Sequence, residues 1–341
     1  MPGPPTVADQ QTERAVERTD PMLIRIRDLV YKVCGIYLPD NKFYFLHDRC
    51  DRRVKALKMD SLRPYCDALT VGPDREAEIR NLLNEITVGE TCFFRNPQQL
   101  SALRKIILPK IMESKKKLSF TRLKIWSAGS STGEEPYTLA MVLLEESATM
   151  LKDWKWEINA TDLNDHSLAK CKQGVYTSYA VRDTEPYYLQ KYFRQEGQTY
   201  ALTPEVKSRV TFTRLNLHDE SKMLFMKGYD VIFCANVLIY FDGASKRRTV
   251  RHFYNGLMPG GYFFTGYSES LYGVSDEFRL VHFPGATAYY RPLLREEVAD
   301  ERPPLMKRSA RASKIWKRCL RFSARCWSAS ICPPTRSRLK N

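Results

Sequence analysis

No stretch of this 341-residue chain approaches the run of about 18 apolar residues that a membrane-spanning helix needs, so none is predicted. The opening residues, MPGPPTVADQQTERAVERTD, lack an apolar h-region, which excludes a secretory signal of the usual kind. No C-x-x-C pair occurs among the nine cysteines, which stand singly at 34, 50, 66, 92, 171, 234, 319, 326 and 332. That scatter argues against a zinc site or a disulfide framework and for reduced thiols in a cytoplasmic protein. No metal is expected. Lys and Arg number 54 against 39 Asp and Glu, a net charge of +15. Most of the excess lies in residues 301–341, where twelve Lys/Arg face one acid, so the rest of the chain carries only +4. A nucleic-acid surface is therefore not implied by charge.

What the chain does have is LKIWSAGSSTGEEPY, residues 123–137. Leu123 to Trp126 reads as a short buried strand, Gly129 to Gly133 as a tight loop, and Glu134-Glu135-Pro136 as the start of a helix. Strand, glycine loop and helix together form the first βα turn of a nucleotide-binding α/β domain. The spacing is not G-x-G-x-x-G, and the two acids would repel a pyrophosphate. A ligand with an ammonium group and a ribose but no phosphate fits better, and S-adenosylmethionine is such a ligand. An ordinary strand-to-helix turn is the plain alternative. Gly129 to Gly133 also matches G-x-S-x-G, which would make Ser131 a hydrolase nucleophile with His252 or His282 as base. Neither histidine follows a recognisable strand.

Taken in order, residues 1–20 are polar and predicted disordered. Helices are predicted from Pro21 to Gly35, Phe43 to Leu57, Ser61 to Leu69 and Glu76 to Ile86, an all-helical module over 21–88. Arg49, Arg52, Arg53, Lys55 and Lys58 give it a basic face, either a solvated surface or one for an acidic partner. Pro97 opens a helix that Pro109 should end. Trp156 to Asp162 is a strand ending on an acid, where nucleotide-binding folds hold ribose hydroxyls. Asn164 to Gly174 is a helix, and a small antiparallel β insertion is expected over about 176–210. Further strands are Arg209–Phe212, the buried run Tyr229–Asn236, Tyr262 onward after Pro259-Gly260-Gly261, and 278–292, with a helix over Ser245–Leu257.

Six blocks in order, TCFFR (91–95), WSAGSSTGEEPY (126–137), NATD (159–162), RLNL (214–217), FCANVLIYFD (233–242) and LMPGGYFFTGYSESL (257–271), resemble the CheR chemoreceptor methyltransferases. The likeness spans roughly residues 22–292. It implies an α/β fold: a Rossmann-like class I methyltransferase domain over 89–295 with the β subdomain inserted, preceded by the helical domain and followed by a basic tail over 296–341. It implies that Thr91, Arg95, Glu134, Asp162, Asn216, Leu217, Asn236 and Val237 line the S-adenosylmethionine site. Arg95 and Tyr240 are the residues expected to position the reacting carboxylate. The implied reaction is methyl esterification of glutamates in the cytoplasmic helical region of chemoreceptors. An anionic glutamate, with a pKa of about 4.3, needs no general base.

The post-strand segment Asn236-Val237-Leu238-Ile239 lacks the Pro-Pro-aromatic motif of amino-methyltransferases acting on bases, so no nucleic-acid substrate is implied. Three departures stand out. Glu90 takes a place where the family more often has small polar residues. The β insertion is short around 194–199, so a tether to a receptor's C-terminal pentapeptide is not expected. The tail, with Trp316 and Trp327, suits an acidic partner or a membrane surface, or is a disordered extension. A monomer is expected. The remaining alternatives are a related enzyme with another protein carboxylate as acceptor, or a cofactor-binding sensor without transfer.

Overall fold

The computed structural model describes residues 20–87 and 89–293. The expected disordered N-terminus (bar Asp20) and the basic tail lie outside the described residues. Helix α1, Pro21–Cys34, starts where the Asp20 carboxylate accepts the Met22 amide at 2.7 Å and Pro21 sits where a missing N–H costs nothing. It ends at Gly35, which takes φ +72. Leu23, Ile26, Val30 and Cys34 form its buried stripe. Helices α2 (Phe43–Ala56), α3 (Leu62–Val71) and α4 (Arg75–Ile86) complete the module. Arg53, expected on a basic face, turns inward instead. Its guanidinium makes a fork of two 2.8 Å bonds to Glu78, which also accepts from Tyr65 Oη and Asn81 Nδ2, both at 3.0 Å.

Helix α5, Pro97–Ala102, does not stop at Pro109. It runs through a π-helical turn, Leu103–Ile107, into α6, Leu108–Lys116. The Leu108 amide reaches back five residues to the Leu103 carbonyl, and this wider turn makes room for the proline ring.

The α/β part then follows as β1 (Arg122–Ala128), α7 (Glu134–Ser147), β2 (Lys155–Asp162), α8 (Asp165–Gln173), β3 (Val175–Thr177), α9 (Pro186–Tyr192), β4 (Phe193–Glu196), β5 (Thr199–Leu202), α10 (Pro204–Lys207) and β6 (Val210–Arg214). It continues with α11 (Glu220–Met223), β7 (Tyr229–Cys234), α12 (Gly243–Gly256), β8 (Leu257–Thr265), β9 (Arg279–Phe283) and β10 (Ala286–Tyr290). Seven strands form one sheet in the order β6-β2-β1-β7-β8-β10-β9. The first five are mutually parallel, and β10 runs antiparallel to both β8 and β9. This is the expected doubly wound fold. The last strand, expected as one piece over 278–292, is a hairpin, because Gly285 turns the chain at φ +70. The insertion is a three-stranded antiparallel sheet, β3-β5-β4, to which the structure adds α9 and α10. Periodicity missed both helices, which have seven and four residues.

Alternation along β1 divides the core. Leu123 and Ile125 face the layer of α5 to α7, whereas Trp126 and Ala128 join the cluster containing the helical module. One apolar cluster runs from Leu23 and Leu46 to Phe253 and Phe263, so the N-terminal helices share a core with one face of the sheet. Hydrogen bonds seal that junction. Tyr37 N donates to Tyr240 O at 2.9 Å, Asn216 Nδ2 to Val33 O at 2.6 Å, and Tyr31 Oη to Asp242 Oδ2 at 3.0 Å.

Burial alone would raise the Glu78 pKa, but the Arg53 fork, Asn81 and Tyr65 hold it below the ordinary carboxylate range. A depressed folded pKa stabilises above the unfolded value, and that contribution is lost as pH falls through the folded one. Glu78→Ala should therefore cost about 3 kcal/mol at neutral pH by stranding Arg53. Urea melts should show the gap between wild type and variant closing as pH falls below about 4.

Candidate functional site

The strand order reverses between β1 and β7, where loops leaving a parallel sheet part and open a crevice. A cavity of about 600 Å³ lies there. Its floor is the β1 loop, Gly129 to Ser131, with Asp162 and Leu163 after β2. One side is Leu215 to Leu217 after β6, the other Ala235 to Val237 after β7. Thr91, Phe94 and Arg95 line it from the domain junction, and Cys34, Ile36, Tyr37 and Leu38 from the helical module. Of the nine expected site residues, Thr91, Arg95, Asp162, Asn216, Leu217, Asn236, Val237 and Tyr240 all line this cavity.

Glu134 does not. Its two carboxylate oxygens accept from Thr132 Oγ1 at 2.9 and 2.7 Å, and it is buried beneath the loop. Its neighbour Glu135 is the wall residue, its Oε1 accepting from Ser127 Oγ at 2.7 Å. Thr138, another wall residue, lies three positions after Glu135 and four after Glu134, so helical spacing puts it on a face with either acid. No signal in the sequence told the two acids apart; in the fold the Thr132 bonds of Glu134 distinguish them. Burial pushes the Glu135 carboxyl up to about 7, against the Ser127 bond and the Arg95 charge, which pull it down.

The remaining geometry is tightly specified. Asp162 Oδ2 accepts from Ser131 N at 2.7 Å and Oδ1 from Asn164 N at 2.8 Å, and burial raises its pKa against those amides. Arg95 is exposed, and its Nη1 donates to Glu90 O at 2.9 Å. The Glu90 carboxylate accepts from Tyr179 Oη at 3.3 Å, and Glu90 lines the cavity mouth. Phe93 is packed edge-on between Tyr176 and Phe193, whereas Phe94 is held at φ +55 with its amide on Thr138 Oγ1. A positive φ at an aromatic residue stores strain. Ser131, at φ +50, has its Oγ buried without a hydrogen-bond partner, so no base is in reach to make it a nucleophile. Gln99, which sequence reasoning missed, is buried against the cavity with its Oε1 unpartnered.

Residues 89–286 match the model of the CheR methyltransferase SAM-binding domain, and residues 22–87 match that of the CheR methyltransferase all-alpha domain. This chain belongs to the CheR methyltransferase family. It is 36% identical over 276 residues to chemotaxis protein methyltransferase 2 of Vibrio cholerae, covering 80% of this chain and 94% of that protein. Chemotaxis protein methyltransferase Cher2 of Pseudomonas putida is 33% identical over 261 residues, covering 75% and 93% respectively. For chemotaxis protein methyltransferase 1 of Pseudomonas aeruginosa the figures are 34% over 259 residues, 75% and 92%.

Membership makes the chain an S-adenosylmethionine-dependent methyltransferase. The cavity fits that cofactor. Orphaned hydroxyls of Ser130 and Ser131, the carboxylates of Asp162 and Glu135, and the apolar Leu217 and Val237 suit a molecule with a ribose, an ammonium and an aromatic base. Among the described residues no helix is long and apolar enough to cross a membrane, and no group of three His, Cys, Asp or Glu is placed to hold a metal ion. The six described cysteines are free and buried.

Within this CheR site Gly129 is held against the opposite wall. A Cβ there would lie 2.4 Å from Val237 Cγ2, at a backbone φ of +74. Gly129→Ala should cost about 1–3 kcal/mol and push Val237 into the cavity. Thermal denaturation and cofactor titration should both register the change; an unaltered melting point with unaltered affinity would contradict this packing.

Proposed function

We propose that this protein transfers the methyl group of S-adenosylmethionine to glutamate side chains of chemoreceptors, giving glutamate methyl esters. The observation that carries the reading is the pairing of an acid-lined cavity at the switch point with an exposed guanidinium, Arg95, at its wall. The relatives' names place such enzymes in chemotaxis, which supports the receptor as substrate.

Each wall residue then takes a role. Asp162 keeps lone pairs for both ribose hydroxyls while its amide bonds hold it in place. Glu135, rather than Glu134, pairs with the amino group of the methionine moiety. Asn216 and Leu217 bracket the adenine, Asn216 being fixed because its Nδ2 is bound to Val33 O. Thr91, Asn236 and Val237 complete the enclosure. When bound, S-adenosylmethionine supplies an electrophilic methyl group on a sulfonium. The protein's task is to bring an acceptor carboxylate into line and strip part of its water. Arg95 offers a planar fork for a carboxylate. Tyr240, half-exposed beside Tyr37 and Ile239 at the rim, offers a hydroxyl and an apolar ring.

The receptor would be engaged without a C-terminal peptide tether. Only Gly197 and Gln198 join β4 to β5, with no insertion at that turn.

Labelled S-adenosylmethionine incubated with receptor-bearing membranes should give base-labile label on the receptor, reduced about 100-fold by Arg95→Ala and less by Tyr240→Phe. Label on a different protein would move the acceptor, and binding without any transfer would sink the reading. Titration with a receptor-tail peptide should show no binding; low-micromolar affinity would overturn the tetherless mode.

Cofactor affinity should also rise with pH. Burial favours protonated Glu135, so its contribution to the stability of the unliganded fold is lost as pH climbs through about 7. A bound ammonium favours the carboxylate instead, so affinity gains over the same window. Calorimetry should find that slope in wild type and a flatter one in Glu135→Gln.

A further inference from the structure

The loop leaving β7 carries Ala235, Asn236, Val237, Ile239 and Tyr240 along the cavity, and its shape is an unusual one. Asn236 stands at φ +61, and Leu238–Tyr240 forms a single 3₁₀ turn. Glu269, in the loop after β8, meets this segment from outside the cavity. Its Oε2 accepts from Asn236 N and from Gly266 N, both at 2.8 Å, and its Oε1 accepts from Ile239 N at 3.1 Å. One carboxylate thus gathers three main-chain donors from two loops. Gly266 is the other half of the arrangement. A Cβ there would lie 2.1 Å from Asn236 Oδ1 and 3.0 Å from Glu269 Oε2, so the two loops touch backbone to side chain with no room between.

We propose that Glu269 is a positioning residue for methyl transfer, holding Asn236 in its left-handed conformation and Tyr240 at the cavity mouth. The proposal rests on the reading that this loop faces bound S-adenosylmethionine and the acceptor. The chemistry demands a carboxylate. Each of its oxygens accepts and neither donates, and bonds from amides to an anion are stronger than neutral ones. Glutamine keeps the shape but turns an NH₂ toward at least one amide, replacing a bond with two opposed donors. Aspartate keeps the charge but is one methylene short of bridging both loops.

The test uses the full chain and four proteins: wild type, Glu269→Gln, Glu269→Asp and Gly266→Ala. Three quantities are read: hydrogen exchange of the amides across 235–240, S-adenosylmethionine affinity by calorimetry, and kcat and KM on receptor membranes. Glu269→Gln should speed exchange at Asn236 and Ile239, weaken cofactor binding about tenfold, the worth of one charge-assisted bond, and lower kcat while leaving the receptor KM within about twofold. Its melting temperature should stay close to that of wild type. Glu269→Asp should fall between the two, and Gly266→Ala, which displaces Asn236 while keeping the carboxylate, should reproduce the kinetic loss. If Glu269→Gln does not fold, the other two variants decide. Unchanged exchange and affinity in Glu269→Gln would overturn the proposal, as would a lower melting temperature with kcat per folded molecule intact. A wild type that binds cofactor yet labels no receptor would instead sink the acceptor reading, leaving exchange and affinity to judge Glu269.

Discussion

Three consecutive amides at the end of β1 are taken by the end of β2. Gly129 N and Ser130 N donate to Thr161 O at 2.8 and 2.9 Å, and Ser131 N donates to Asp162 Oδ2 at 2.7 Å. The cavity depends on this clamp. It turns the chain out of the sheet in a left-handed step that only Gly129 adopts cheaply, and it fixes the carboxylate that faces the ligand. Parallel pairing of β1 with β2 along all seven β1 residues brings the two ends level. Register in the sheet thereby becomes position in the site. A slip of one residue would reverse the faces of Trp126 and Ile125 and carry Asp162 away from the loop.

The architecture was largely legible because it is written in periods and stops. Apolar runs marked β1 and β7, Asp20 and Gly35 bracketed α1, and Gly174 ended α8. Eight of the cavity's wall residues were legible through the motifs that resemble the family. For those after β2, β6 and β7, the convergence of loops at the carboxyl ends of parallel strands agrees with that placement. What escaped was whatever depended on direction rather than order. Glu134 and Glu135 are equivalent as letters and opposite as neighbours, one bonded to Thr132 under the loop and one open to the cavity. Arg53 reads as one of five exposed cations until Glu78, 25 residues on, draws it inward. Pro109 reads as a stop unless a π turn precedes it, and no local letter announces one.

Electrostatically the site is arranged as separated acids. Asp162 is restrained by main-chain donors, Glu135 by a single hydroxyl, and the raised pKa of each traces first to burial. Neither is neutralised by a dedicated side-chain cation, since the Arg95 guanidinium is itself turned to the Glu90 carbonyl. An acid kept poor in partners is a standing demand for a positively charged or hydroxyl-bearing ligand. The buried, unpartnered hydroxyls of Ser130 and Ser131 add to the same demand.

Cys34, Ile36, Tyr37 and Leu38 belong to the helical module yet line the cavity, and Asn216 reaches across to Val33. A molecule in that cavity therefore touches both parts of the chain at once. Its binding free energy counts toward holding the module on the sheet, and any force that loosens the module must be met partly by the ligand. Linkage makes this reciprocal: whatever the helices bind on their outer face, to the extent that it shifts their seating, alters occupancy of the cavity by the same factor that occupancy alters its own affinity.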